Sequence, residues 1–438
     1  MKMLFNKQWA KGNEQLEMSN GQPFFTYCLL HITKYKLLIV CCTLLISNYS
    51  NAQTRITLQQ AIDTALTNNL TVKNEKLRTE YQQKLIKTGT IIPNTNIGGQ
   101  YGQINSFYSD VSLGISQTLS FPTVYSRQKE LLTEEWKSSA LSFKIKETEL
   151  KKLVTEVYFN LLYIQQKRNL LLENDSLFSE FLNKSILRFQ KGESNILEKT
   201  TAENQRGQIA LQLSQLEQDW EIVQLQFQYL LNSTTAFVPD ENDALSPNIF
   251  LTESAEIVSH PLIQYWKQQQ NIAFANTKVE KSKLLPDFTL GYNIMGMKGM
   301  GANNIEYNSN LRFQSVHVGL GIPIFNAGQK SKINASKINE QITGNEYELN
   351  IKKLEAGFIQ AMKQYQKYQD AVLYYEKTAL KNAETIKTTA NKQFLNGEIN
   401  YLEWALLINQ AINIQNEYIE AIRNRNNAVA ETNFYLNK

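Results

Sequence analysis

The chain has 438 residues and nearly balanced charge, with 45 Lys and Arg side chains against 41 Asp and Glu. The absence of a clustered basic footprint argues against a nucleic-acid-binding protein. All three cysteines lie within the first 42 residues, so a chain that has lost this segment has neither disulfides nor thiolate chemistry.

The N-terminal segment, 1–52, contains the succession of basic, apolar and polar regions that is typical of a secretory signal. Two lysines precede the apolar run 37–46, which is followed by polar residues and the small residue Ala52. The run is about half of the ~20 residues that a membrane helix needs, so we expect cleavage after Ala52. The alternative is acylation of Cys41 or Cys42, which the bulky residue before Cys41 disfavours.

After the signal, a helix is expected first, and two strands follow it. Residues 111–119, VSLGISQTL, place apolar side chains such as Val111 and Leu113 on one side of an extended chain and small or polar residues on the other. This period of two predicts a strand with one apolar and one polar face. An earlier strand is expected after Pro93, around Gly98.

A very long helix is predicted next. Between Pro122 and Gly192 there is neither proline nor glycine, and apolar residues recur at helical spacing. An uninterrupted helix of this length would measure about 100 Å, and such rods are typical of coiled coils. A turn at 191–195 ends it, and a second helix is expected from 196 to about 231.

The second half repeats this order after a proline-containing link at 233–260. Strands are expected at 288–294 and 316–324, a long helix from about 330 to 394, a turn at Asn396-Gly397 and a last helix from 401 to 436. Gly344 and Gly357 are possible interruptions of the long helix.

The two halves are copies of one unit. Residues 188–205 recur without a gap at 393–410, an offset of 205 that also relates Val111 to Val316. Pro93 and Pro286 are 193 residues apart, so the loop between the strands is 12 residues longer in the second copy. We therefore divide the chain into two repeats, 53–245 and 246–438, with two strands in each.

Four amphipathic strands cannot close a barrel alone, because about eight is the smallest workable number. Their apolar faces carry Phe and Val, and an open sheet edge is not viable in lipid. The pattern therefore predicts that several chains share one barrel, apolar side outward, and that the long helices continue its wall as a tube.

The order of motifs resembles the TolC-like outer membrane efflux protein family over residues 57–438. The resemblance rests on TLQQAIDTALTNNL with Asn69, the strand entries IIPNTNIG and LLPDFTLG, IPIFNAGQKSKI, and the paired F-x-x-G-E turns. Within the family, IPIFNAGQKSKI and QTLSFPTVYSRQKE are most similar to the CzcC/CusC-type branch, which serves heavy-metal pumps of the resistance-nodulation-division (RND) type.

The resemblance implies a mainly α fold: a long α-helical coiled-coil tunnel in the periplasm, plus four strands per chain that contribute to a shared twelve-stranded membrane β-barrel. It implies a homotrimer in the cell outer membrane that passively conducts heavy-metal cations or drugs. The implied partners are a periplasmic adaptor protein, an inner-membrane RND transporter and outer-membrane lipid. No catalytic residue and no cofactor are expected.

The resemblance also assigns roles at the helix turns. Docking of the adaptor falls to Arg188, Gly192, Asn195, Gln393, Gly397 and Asn400, and constriction of the periplasmic end to Glu198 and Glu403. Each assignment competes with a local one, because tight turns need glycine and helix carboxylates are usually solvated. Since Gln393 replaces Arg188 in the second copy, the two dockings should differ.

Two other classes of protein are alternatives to a channel. The sequence has no Ser/His/Asp set at useful spacing, no phosphate-binding glycine loop and no H-E-x-x-H motif, which disfavours an enzyme. Its mature part has two histidines, His260 and His317, and no cluster for a metal. A secreted structural or adhesion coiled coil is the stronger rival, but it has no use for four lipid-compatible strands.

Overall fold

The computed structural model describes residues 54–240, 259–308 and 312–437. The predicted signal and most of the predicted link lie outside these ranges. The helices are α1 Leu58–Asn68, α2 Leu70–Leu85, α3 Pro122–Gln190, α4 Ile196–Leu231, α5 Pro261–Ser282, α6 Ala327–Tyr374, α7 Leu380–Leu395 and α8 Tyr401–Tyr435. The strands are β1 Thr54–Ile56, β2 Asn96–Gly102, β3 Asp110–Leu119, β4 Phe237–Pro239, β5 Asp287–Gly296, β6 Gly299–Met300, β7 Glu306–Tyr307 and β8 Arg312–Gly321.

The long helices have the predicted extent, and the glycines do not interrupt them. Helix α3 runs unbroken for 69 residues. In the second copy α6 passes through Gly344 and Gly357, and the helix departs from α geometry only at the π turn Tyr375–Ala379, which joins α6 to α7. Neither Gly344 nor Gly357 interrupts the predicted long helix, because both are accommodated within a packed helix.

Gly357 has a packing role that Gly344 lacks. A Cβ added to Gly357 would lie 2.4 Å from the hydroxyl oxygen of Tyr435 on α8, whereas the nearest atom to a Cβ on Gly344 is Nε2 of Gln270 at 3.6 Å. Glycine at 357 therefore leaves space for the Tyr435 ring, whereas the contact at Gly344 would be of ordinary length.

Alanine substitutions at the two glycines should have opposite effects on stability. Gly344→Ala is expected to raise the free energy of unfolding by about 0.5–1 kcal/mol, the ordinary gain in helix propensity. Gly357→Ala should lower it, because Tyr435 must move from its packed position. Denaturant unfolding in detergent followed by circular dichroism measures both, and equal gains at the two positions would contradict the packing role.

Four strands form one antiparallel sheet in the order β2-β3-β5-β8. The strand predicted at 316–324 is observed at Arg312–Gly321, because its ladder with β5 ends where Gly321 pairs with Asp287. Pro323 lies beyond the ladder, as expected of a residue without an N–H. The lengthened second loop contains the small hairpin β6-β7, which the sequence analysis did not predict.

The sheet has the predicted two faces. Its apolar face is uncovered in the single chain, with Ile97 80% and Val318 77% exposed. The other face carries small and polar side chains, including Ser112, Gly114 and His317, at alternating positions. An apolar sheet face of this size on one chain requires a covering medium.

A second strand pairing, which was not predicted, brings the two ends of the first copy into contact. Strand β1 pairs in parallel with β4, so the start of the described chain lies beside the end of α4. The fully buried Tyr158 of α3 donates a hydrogen bond from its hydroxyl to the carbonyl oxygen of Ile56 at 3.1 Å and accepts one from the N–H of Asp240. Asn69 caps α2 and donates from Nδ2 to the carbonyl oxygen of Leu230 at 2.9 Å.

Candidate functional site: the two helix turns

The turns that connect α3 to α4 and α7 to α8 have the same backbone geometry. Gly192 and Gly397 both have φ of +74°, and nothing lies within 4 Å of a Cβ added to either. The N–H groups of Glu193 and Glu398 donate to the carbonyl oxygens of Arg188 and Gln393, both at 2.9 Å. This is the Schellman arrangement, so glycine is needed for its positive φ and not for space.

Asparagine begins the following helix in both copies. The side-chain oxygen of Asn195 accepts from the N–H of Glu198 at 3.1 Å, and that of Asn400 accepts from the N–H of Glu403 at 3.0 Å. The repeated asparagine thus has a local role as the N-cap residue of each helix.

The glutamates that follow the caps are used differently in the two copies. The Glu403 carboxylate accepts from the N–H of Asn400 at 2.9 Å and completes a capping box. The Glu198 carboxylate instead pairs with the Arg188 guanidinium at 3.1 Å, and its side chain is only 12% exposed. Gln393 replaces Arg188 in the second copy, and the two turns use the glutamates that follow their caps in different contacts.

A cleft of about 900 Å³ lies between the two turns. Its walls include five of the eight predicted site residues: Arg188, Glu198, Gly397, Asn400 and Glu403. The other three, Gly192, Asn195 and Gln393, are outside the cleft on the same tip. The remaining lining residues are Phe181, Lys184, Leu187, Phe394, Leu395, Asn396, Glu398, Ile399 and Tyr401.

An aromatic cluster that was not predicted from the sequence supports one side of the cleft. The Phe181 ring stacks on Tyr401 with centroids 4.3 Å apart and on Trp404 at 4.6 Å. Trp404 is buried, packs edge-on against Phe178 and donates from Nε1 to the side-chain oxygen of Asn391 at 2.7 Å. Burial, with a smaller contribution from the nearby negative charge of Glu198, raises the pKa of Tyr401 to about 12.

Comparison of the two copies hides this cluster because its residues are not repeated. The positions equivalent to Tyr401 and Trp404 in the first copy are Ile196 and Lys199. The available signal was the presence of two aromatic residues one turn apart at the start of a helix that follows a glycine turn.

Truncation of Trp404 should loosen this tip. Trp404→Ala removes the central ring of the cluster and is expected to destabilise the α7–α8 hairpin by about 3–5 kcal/mol. Leu406→Ala is the matched control on the same helix, since Leu406 is 71% exposed and should change stability by less than about 0.5 kcal/mol. Amide hydrogen exchange over residues 391–410 measures both, and equal protection in the two variants would contradict a supporting role for the cluster.

Comparison with known proteins defines the class to which this architecture is similar. Residues 254–437 match the family model described as Outer membrane efflux protein. No curated protein matches the sequence. Among the helices of the described ranges, none is both long and apolar enough to cross a membrane.

Solved structures with a similar fold include two outer-membrane channels and CusC. The Campylobacter jejuni CmeC outer membrane channel has a TM-score of 0.72 at 15% identity, over 87% of this chain and 85% of that chain. The open state of the Neisseria gonorrhoeae MtrE outer membrane channel has a TM-score of 0.69 at 16% identity, over 87% and 88%. CusC has a TM-score of 0.73 at 16% identity, over 86% and 91%. The mainly α fold with a four-stranded sheet that the sequence predicts is confirmed. The predicted outer-membrane location agrees with the description of the matching family and with the location of CmeC and MtrE.

Proposed function

We propose that this chain is the outer-membrane channel of a tripartite efflux pump and works as a homotrimer. The observation that carries the proposal is the uncovered apolar face of the four-stranded sheet, whose edge strands β2 and β8 each pair on one side only within the described chain. Three copies joined edge to edge give a twelve-stranded barrel, which satisfies the edges and places the apolar face in lipid.

The helix turns are the surface that we assign to the periplasmic adaptor. Two turns of the same backbone shape lie at one tip, and the cleft between them offers both charged and aromatic surface. Docking energy would concentrate on a few such residues.

An inner-membrane RND transporter would supply the energy for transport, and the channel would conduct the cargo of that transporter passively. The cargo is assigned to heavy-metal cations or drugs through the resemblance to the CzcC/CusC-type branch.

Glu198 and Glu403 are assigned to the periplasmic constriction. Three copies of the exposed Glu403 around the trimer axis would form a ring of carboxylates, the arrangement that favours cations in a pore. The positive charge of Arg188 compensates the negative charge of Glu198. Glu403 would therefore contribute more than Glu198 to the negative potential at the constriction.

Neutralising Glu403 should reduce the preference of the channel for cations. Glu403→Gln keeps an oxygen that can accept from the N–H of Asn400, so the helix cap is retained while the charge is lost. The ratio of K⁺ to Cl⁻ permeability, measured from reversal potentials in an asymmetric KCl gradient, should fall about two- to threefold, a change of about one kT in local potential. An unchanged ratio would remove Glu403 from the constriction.

Cell fractionation together with bilayer recording tests the proposed function itself. A channel should be extracted from membranes by detergent only and should conduct ions when reconstituted. Release by osmotic shock, without conductance, would favour a secreted adhesion or structural coiled coil.

A further inference from the structure

The polar face of the sheet carries few ionisable side chains. Over the described parts of β2, β3, β5 and β8, strand alternation and the register place three on this face: Asp110, Asp287 and His317. The other positions around the histidine are small or neutral, including Ser116, Asn293 and Ser315. His317 is therefore the sole imidazole on a mostly uncharged wall.

The His317 ring occupies the space beside its cross-strand partner, Gly291, where another residue would have its Cβ. A Cβ on its cross-strand partner Gly291 would be 2.0 Å from Cε1 of the ring, so only glycine leaves this space. Asn293 donates from Nδ2 to Nδ1 of the ring at 3.3 Å. The Asn293 side chain itself extends over Gly114, where a Cβ would lie 2.3 Å from its Oδ1. The imidazole is thus held at the wall, exposed, with a neutral hydrogen-bond partner.

The two acids on this face lie far from the His317 ring. Asp287 pairs with Gly321, four residues along β8 from His317, which corresponds to about 13 Å. Asp110 lies at the opposite end of the sheet and is 3% exposed. Its carboxylate accepts from the N–H of Asn105 at 3.1 Å and from the N–H of Lys298 at 2.9 Å.

We propose that His317 makes the ion selectivity of the barrel lumen respond to pH. The inference rests on the proposed function, which places the polar face inside the barrel. Imidazole is the side chain whose ordinary charge change falls between pH 5 and 8. Protonation adds one positive charge per chain to an uncharged stretch of wall, and a trimer carries three such charges at one level. Cations are then repelled and anions favoured.

The ring arrangement accommodates both charge states. In the contact with Asn293 Nδ2, Nδ1 of the ring acts as the acceptor, which fits the tautomer with its proton on Nε2. A second proton on Nδ1 requires the Asn293 amide to turn so that its oxygen accepts. This change is local and needs no movement of the strands.

Reversal potentials of the reconstituted full-length channel at pH 8 and pH 6 test the proposal. In wild type, the ratio of K⁺ to Cl⁻ permeability should fall about two- to threefold between these values, equivalent to about one kT. His317→Asn should abolish most of the fall. Carboxylates with ordinary pKa values remain ionised over this range, so the acidic residues contribute little.

Ser112 provides the matched control, because it occupies the position equivalent to His317 in the first copy and lies on the same face. Ser112→Asn should leave the pH response unchanged. The double variant His317→Ser, Ser112→His should restore it, which a variant that merely misfolds cannot do.

The outcomes separate this proposal from the one on which it rests. A channel that conducts but shows no pH response, or whose response survives in His317→Asn, overturns the role of His317 and leaves the channel function standing. Failure of the wild-type protein to conduct at either pH overturns the proposed function, and the role of His317 with it.

Discussion

Replacing Val318 by arginine is expected to prevent most of the protein from assembling as a folded trimer. Val318 is 77% exposed on the apolar face of β8, one of the two edge strands of the sheet. An arginine facing lipid near the middle of the bilayer costs about 2–4 kcal/mol in each chain. A trimer carries the charge three times, so the total of about 6–12 kcal/mol is comparable to the whole stability of a typical protein, about 5–15 kcal/mol. The fraction of trimer in outer-membrane extracts, resolved by native gel electrophoresis, measures the effect.

Ser315→Arg is the matched control for this change. Ser315 lies on the same strand, three positions away and on the opposite, polar face. An arginine there should be hydrated in the lumen and leave the trimer fraction near that of wild type. Equal loss of trimer in both variants, or equal retention, would contradict the assignment of the two faces.

Tryptophan in place of Gly397 or Gly192 is expected to abolish export while the trimer survives. Each glycine is at the exposed tip of a helix turn, and a bulky side chain there would project into the surface assigned to the adaptor. A loss of about 2 kcal/mol or more in docking, the scale of a hot-spot residue, weakens the contact on the order of 30-fold. Export is measured as cell survival on a panel of metal salts and drugs, alongside the trimer fraction.

Alanine at the same positions separates bulk from backbone strain. Gly397→Ala introduces the same unfavourable positive φ, at about 1 kcal/mol, with almost no added volume. It should retain most export. Full export by both tryptophan variants would end the docking assignment, and equal loss in the alanine and tryptophan variants would attribute the effect to the turn itself.

The sequence repeat allowed the helix turns and the strands of this fold to be predicted from the sequence. Repeated glycines at 192 and 397 predicted the two turns, and both have the positive φ that the prediction required. Strand alternation predicted the two faces of the sheet. These features are encoded locally, by the conformational preference of one residue or by a period of two along a single segment.

The parts that were missed depend on contacts between distant segments. Trp404 joins Phe181 across more than 200 residues of sequence, and no local pattern reports that pairing. The three-residue strands β1 and β4 are too short to show a period. In the sequence alone, Gly357 is a signal that weakens a helix, because its packing partner, Tyr435, is identified only once α6 and α8 are packed.

Glu198 and Glu403, at the tip of the helices, each have a local structural role besides the role proposed at the pore. Glu403 completes a capping box and Glu198 pairs with Arg188, so both carboxylates have a role within their own turn. That role does not exclude a second one at the pore, because the carboxylate of Glu403 remains exposed. Separating the two requires the isosteric change to glutamine, which retains a hydrogen-bond acceptor and removes charge.

Native mass spectrometry of the detergent-extracted protein tests the central claim, a barrel shared by three chains, most directly. We predict a stable species with three times the mass of a chain that begins at Gln53. A water-soluble monomer would contradict the shared barrel and favour a coiled-coil fibre protein.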